Sequence, residues 1–170
     1  MAAHESILIL NEAQIEQKIN RLAFQIYEQN FEEKHVLVCG IAERGYLLAQ
    51  KIYNKLKEIS DFELQLCEVK VDKNNLHATE IKLNPHPGDL KDKSVILCDD
   101  VLYTGKTLAY AAMPFLEGGA KKLQCLVLIQ RNHSTFPVQP TYIGMSLATT
   151  LQEHVSVKLR AEEEEMVVLG

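Results

Sequence analysis

No stretch of this sequence approaches the ~18 consecutive apolar residues that a membrane span requires. The N-terminus has neither a basic segment nor a long apolar core of the secretory kind. Both absences point to a cytoplasmic chain with no membrane partner. The four cysteines, Cys39, Cys67, Cys98 and Cys125, include no C-x-x-C pair. Three of them, Cys39, Cys98 and Cys125, fall inside apolar runs and read as buried reduced thiols rather than a disulfide, a zinc site or a nucleophile. The six histidines lack metal-ligand spacing. Positive charge is not in excess either: a formal charge of -5 argues against wholesale coating of nucleic acid and leaves room only for a local basic patch. No repeat or change of composition divides the 170 residues. They are expected to form one domain, 1–170, long enough to bury roughly 70% of the unfolded chain's surface.

What is present is an alternation of apolar runs and helical stripes. Asn11 opens a helix whose Ile15, Ile19, Leu22 and Ile26 share one face, and Gln14 stands where a capping box needs it. Val36 to Cys39 is a short apolar strand ending at Gly40. Leu48, Ile52, Leu56 and Ile59 then form a second helical stripe. Alternation from Phe62 to Val71 predicts a strand that runs into a polar, proline-bearing segment, about 72–92, expected to be a mobile loop. Ser94 to Cys98 predicts a buried strand, followed by a helix from about Thr107 to Glu117 that Gly118 and Gly119 stop and Pro114 kinks or shortens. Leu123 to Ile129 predicts another strand, and two short strands are expected near 155–159 and 166–169, with Glu162 to Glu165 as a solvated turn. Strands separated by helices imply an α/β fold, a mostly parallel twisted sheet with helices on both faces.

In such a sheet, ligands bind beyond the carboxyl ends of the strands. After Cys98 comes Asp99-Asp100-Val101-Leu102-Tyr103-Thr104-Gly105-Lys106-Thr107. A loop of small and hydroxylated residues opening a helix offers backbone N–H groups and partial positive charge to a phosphate. Two carboxylates beside it repel a phosphate unless they hold hydroxyls or a cation. A sugar phosphate with free hydroxyls and Mg2+ meets both demands. The ending Gly105-Lys106-Thr107 mimics a Walker A motif, but the first glycine that motif requires would fall at Asp100. A nucleotide-kinase reading is therefore disfavoured.

Val95 to Thr107 resembles the signature of the type I phosphoribosyltransferases: an apolar strand, two acids, two apolar residues, then x-T-G-x-T. The whole chain, from Ile9 nearly to Gly170, is similar to the bifunctional family of pyrimidine-operon attenuators and uracil phosphoribosyltransferases. That likeness includes Gly40 to Gly45 and Pro140 to Gly144. The resemblance implies the type I phosphoribosyltransferase fold with a small hood at about 130–155. It implies 5-phosphoribosyl-1-pyrophosphate (PRPP) and a nucleobase as substrates, Mg2+ as cofactor and a homo-oligomer, dimer or tetramer. By the same likeness Asp99 and Asp100 hold the ribose hydroxyls, directly or through Mg2+, and Tyr103, Thr104, Gly105, Lys106 and Thr107 wrap the 5-phosphate. Ala42, Glu43, Arg44 and Gly45 match the pyrophosphate loop, in which Arg44 is suited to fork onto the leaving group. Asp99, Asp100 and Arg44 are thus the expected catalytic residues.

Gln130 and Arg131, after the third strand, fall in the base and hood region, where recognition of the base and a structural role are both open. Tyr103 stands where many purine-using relatives carry an aspartate, which favours a pyrimidine such as uracil over hypoxanthine. In the loop, Lys73 replaces the family's arginine and Asp72 an aromatic residue, so PRPP binding is expected to survive better than turnover. A nucleotide-sensing RNA-binding regulator on the same fold is the competing reading. It needs a basic face, for which Lys18, Arg21, Lys51, Lys55 and Lys57 are available.

Overall fold

The computed structural model of the protein describes residues 5–160 and 162–170. Strand β1 (Ile7–Leu10) leads into helix α1 (Glu12–Asn30), then β2 (His35–Ile41), α2 (Arg44–Ile59), β3 (Glu63–Lys70) and β4 (Lys82–Asn84). These are followed by β5 (Lys93–Leu102), α3 (Lys106–Ala111), α4 (Met113–Glu117), β6 (Lys122–Arg131), β7 (Tyr142–Leu147), β8 (Val155–Lys158) and β9 (Met166–Leu169). The larger sheet has the order β4-β3-β2-β5-β6-β7. Strands β3, β2, β5, β6 and β7 are mutually parallel, and β4 alone runs antiparallel.

The central strands are apolar without a break because both faces are covered. Successive residues serve opposite layers: Val36, Val38, Ile96 and Cys98 pack beneath α1 and α2, whereas Leu37, Cys39, Val95 and Leu97 pack with Leu108, Ala111 and Phe115 of α3 and α4. Helices on both faces of a mostly parallel sheet are what the alternation of elements predicts. The capping box at Asn11 and Gln14 is formed, each backbone N–H meeting the other's side chain at 2.9 Å. Cys39, Cys67 and Cys98 are buried, and Cys125 is half-buried.

Three expectations need correction. The helix after the acid pair is two helices, because Pro114 has no N–H to give the carbonyl of Tyr110, and the chain turns at Ala112 before α4 begins. The segment 72–92 contains β4, whose Lys82, Leu83 and Asn84 pair with Lys70, Val69 and Glu68 at the sheet edge. Residues 142–147, expected within the hood, form the opposite edge of the large sheet. Tyr142 is fully buried there and hydrogen-bonded to Asn30 and Gln124 (3.1 and 2.6 Å). A separate three-stranded antiparallel sheet, β1-β9-β8, pairs residues 7–10 with 167–169. Its Leu10, Val155, Val157 and Val167 continue the apolar core under α1 and α2.

Candidate active site

Two glycines set the geometry at the carboxyl end of β2. A Cβ on Gly40 would lie 2.3 Å from the carbonyl oxygen of Gly45, and one on Gly45 would lie 2.8 Å from that of Cys98 and 3.0 Å from Asp99 Oδ1. Only hydrogen fits at either place, so the start of α2 sits directly against the end of β5. Arg44 is thereby brought to the acid pair, with Nη1 4.0 Å from Asp100 Oδ2. The Ala42 N–H donates to Val69 O at 3.0 Å, fixing the loop to the neighbouring strand. Glu43, exposed, ion-pairs with Arg160 beyond β8.

Asp99 and Asp100 are the last buried polar residues of β5, each with less than a tenth of its surface exposed. The Asp100 N–H donates to Asp99 Oδ1 at 2.9 Å. Burial, reinforced by the neighbouring Asp100 charge, raises the Asp99 carboxyl well above the usual range, and Lys73 partly offsets this. A cation would relieve the repulsion between two carboxylates so placed. Two adjacent carboxylates are a donor set that suits Mg2+, which keeps several waters and takes one or two carboxylates together with substrate phosphates. Among the described residues no group of three or more His, Cys, Asp or Glu forms a self-sufficient metal cage.

Beyond the acids, Gly105 adopts φ 86°, a left-handed conformation that glycine reaches at no steric cost, and it starts α3. Thr104 O accepts from the N–H groups of Thr135 and Phe136 at 2.9 and 3.0 Å, and Thr104 Oγ1 accepts from Lys106 N–H at 3.3 Å. These bonds hold the turn open around a cavity of about 200 Å³ lined by Lys73, Asp99, Asp100 and the whole of Tyr103 to Thr107. Lys73 reaches it from a turn in which Asp72 Oδ1 accepts from Asn74 N–H at 3.0 Å and Asp72 O from Asn75 N–H at 3.1 Å. The aspartate that replaces an aromatic residue is thus a turn former.

A second cavity, about 340 Å³, adjoins the first and shares Asp100, Val101 and Tyr103 with it; Arg44, Arg131 and residues 151–155 complete its lining. The structure therefore brings together Arg44, Lys73, Asp99, Asp100, Arg131 and the loop 103–107. Of the rest of that loop, Gly45 packs against Cys98 and Asp99, Ala42 is bonded to β3, and Glu43 faces Arg160. Gln130 lines a different cavity, with Asn132, Ser146 and Ala148, and Arg131 borders both. The hood expected at about 130–155 is legible in the sequence only as a region, without Thr149, Thr150 and Glu153 individually. One local signal was readable: Thr150-x-x-Glu153 has capping-box spacing, and the Thr150 N–H donates to Glu153 Oε2 (2.5 Å) while the Glu153 N–H donates to Thr150 Oγ1 (3.3 Å).

A sequence profile described as a phosphoribosyl transferase domain matches residues 8–161. The chain belongs to the phosphoribosyl transferase family. Among relatives, it is similar to the bifunctional protein PyrR of Clostridium kluyveri, 34% identical over 158 residues covering 89% of each chain. It resembles the bifunctional protein PyrR of Halalkalibacterium halodurans to a like degree, 33% over 163 residues covering 91% of each. Among solved structures, the hypoxanthine phosphoribosyltransferase of Trypanosoma cruzi superposes with a TM-score of 0.77 at 14% identity, over 95% of this chain and 94% of that one. A hypoxanthine-guanine phosphoribosyltransferase from Bacillus anthracis gives 0.67 at 19% identity, over 82% and 81%. At those identities the likeness is one of fold, and it shows that this phosphoribosyltransferase has the type I architecture. It is a PyrR-like, PRPP-dependent pentosyltransferase.

Proposed function

We propose that this phosphoribosyltransferase transfers the 5-phosphoribosyl group of PRPP to a pyrimidine base, uracil being the first candidate, with release of pyrophosphate and with Mg2+ as its cofactor. One observation carries the reading: the buried acid pair, the loop 103–107 and Lys73 line a single cavity, and Arg44 stands at 4.0 Å from the second acid. Asp99 and Asp100 hold the ribose hydroxyls and would hold the metal. The N–H groups and hydroxyls of Thr104 to Thr107 take the 5-phosphate. Arg44, which follows β2, and Lys73, which follows β3, face the pyrophosphate.

The reaction is displacement at ribose C1, in which the bond to pyrophosphate breaks, the sugar gains oxocarbenium character and a base nitrogen attacks. Mg2+, when bound, neutralises charge on the departing pyrophosphate. The chain's own share is positioning and a charge distribution already arranged for the transition state. Burial of Asp99 and Asp100 strengthens their hold on the sugar by excluding water. Tyr103, in place of an acidic residue, favours a pyrimidine over a purine.

A regulator that binds RNA without catalysis is less well supported. Of the cations available for a basic face, Lys51 pairs with Glu165, Lys55 with Glu58, and Arg21 donates to the carbonyls of Ile143 and Gly144 (2.9 and 2.6 Å). Screening uracil, hypoxanthine, guanine, xanthine, adenine and orotate with PRPP and Mg2+ tests the proposal. Pyrophosphate release with uracil is the expected result. Release with none of the bases, together with RNA binding that falls steeply with salt, would favour the regulator.

A further inference from the structure

Arg131 ends β6 in a setting that the reading above does not use. Its guanidinium lies 4.2 Å from the centroid of the Tyr103 ring, and its residue surface is 5% exposed. Nε donates to Thr149 Oγ1 at 2.8 Å, and Nη2 donates to the carbonyls of Thr150 (3.2 Å) and Glu153 (2.7 Å). His133 repeats the arrangement from two residues on: its ring meets Tyr103 edge-on at 5.7 Å, and Nε2 lies 2.7 Å from Thr149 O. Between them, Asn132 Oδ1 accepts from the Thr149 N–H at 3.4 Å. Three consecutive residues thus clasp the segment 149–153, and two of the three also hold Tyr103.

We propose that Arg131 is a positioning residue that locks the segment 149–153 onto Tyr103, coupling the phosphate loop to the wall where the base is seated without itself contacting the base. A guanidinium recognises a base edge through two parallel N–H donors. In Arg131 the edge formed by Nε and Nη2 is already spent: Nε has one hydrogen and Nη2 has two, and three acceptors in 149–153 take them. Tyr103 covers one of its two flat faces, and with both Nη2 hydrogens taken the two on Nη1 have no free neighbour with which to form a fork. Leu151, Gln152 and Glu153, which line the cavity beside Tyr103 and Asp100, therefore sit on a stretch of chain that Arg131 grips at Thr150 and Glu153. A shift of the phosphate loop at Tyr103 moves that wall, and a shift of the wall is felt at Tyr103. This inference deepens the proposed pyrimidine transferase reading and rests on it for the word base; the coupling itself does not depend on which base is used.

Arg131→Lys keeps the charge and loses both the fork and the planar stack. Hydrogen exchange on the free protein is expected to show faster exchange of amides 149–153 in this variant. Uracil KM is expected to rise about tenfold, equal to about 1.4 kcal/mol, with a smaller change in PRPP affinity. If Arg131→Lys does not fold, Tyr103→Leu loosens the same clasp from the other side of the stack and should speed the same amides. The double variant should lower the melting temperature by less than the sum of the singles, by about 2–4 °C for each kcal/mol of lost coupling. Unchanged exchange at 149–153, additive melting temperatures, or a uracil KM in Arg131→Lys equal to wild type would overturn the proposal. Absence of turnover with every base, alongside coupled melting and exchange, would fault the transferase reading and leave the coupling standing.

Discussion

The two sides of the candidate site are held in different ways. On the strand side, Asp99, Asp100, Arg44 and Gly45 stand at the ends of two adjacent buried strands, with glycine contacts too close for any other residue. On the other side, Lys73 and the segment 149–153 arrive on connections between elements and are held by side-chain and turn hydrogen bonds. On the proposed function, the groups that must be exact in position stand at strand ends, whereas those that meet incoming substrate stand on connections. Mutations on the two sides should therefore fail differently.

The largest effect is expected at the acids. Asp100→Asn should lower PRPP-dependent pyrophosphate release on the order of 10²-fold or more, the scale of losing one preorganised electrostatic group. Asp99→Asn should be as damaging to turnover and yet raise the melting temperature of the free protein. The sign follows from the raised Asp99 carboxyl: between the ordinary carboxylate pKa and the raised one the folded state holds more protons than the unfolded, so stability falls as pH climbs through that window. A neutral amide removes that loss, and the variant's melting temperature should depend less on pH there. Next comes Gly45→Ala, whose Cβ would meet Cys98 O at 2.8 Å. Overpacking of this kind costs roughly 1–3 kcal/mol, or a drop of about 2–4 °C per kcal/mol in a melting experiment. Lys73→Ala should reduce kcat, by less than Asp100→Asn does, with a smaller change in PRPP affinity, and Lys73→Arg should match or exceed wild type. The smallest effect is expected at Arg160→Ala, which removes an exposed ion pair to Glu43 and should change stability by less than about 1 kcal/mol. An Arg160→Ala loss larger than that of Gly45→Ala would break the contrast between the two sides.

The same contrast governs how much could be read from the sequence. The strand side is local: an apolar run, two acids and a glycine-started helix lie within thirteen residues, Val95 to Thr107, and each part has its own short-range signature. The helix of α1, the strands β2, β5 and β6, and a disturbance of the helix by Pro114, though not its division in two, were legible for the same reason. The other side is decided by distant partners. Strand β4 has three residues and exists because β3 offers it an edge. Strand β7 follows two prolines and carries Gly144, whose Cβ would meet Leu128 O at 2.4 Å, so its place beside β6 depends on close packing that no periodicity reports. The antiparallel sheet pairs residues 7–10 with 167–169, a contact across the length of the chain. Arg131 read equally well as a base contact and as a strut, because nothing in the order Gln130-Arg131-Asn132 says which way a side chain at a strand end will turn.

The account rests on Asp99, Asp100 and the loop 103–107 acting as one pocket for a phosphorylated sugar. Titration calorimetry of PRPP into the protein with Mg2+ tests this directly. Saturable heat at one site per chain, lost in Asp100→Asn and greatly weakened when Mg2+ is withheld, is the predicted result. No heat with the wild-type protein, or equal heat with Asp100→Asn, would contradict it.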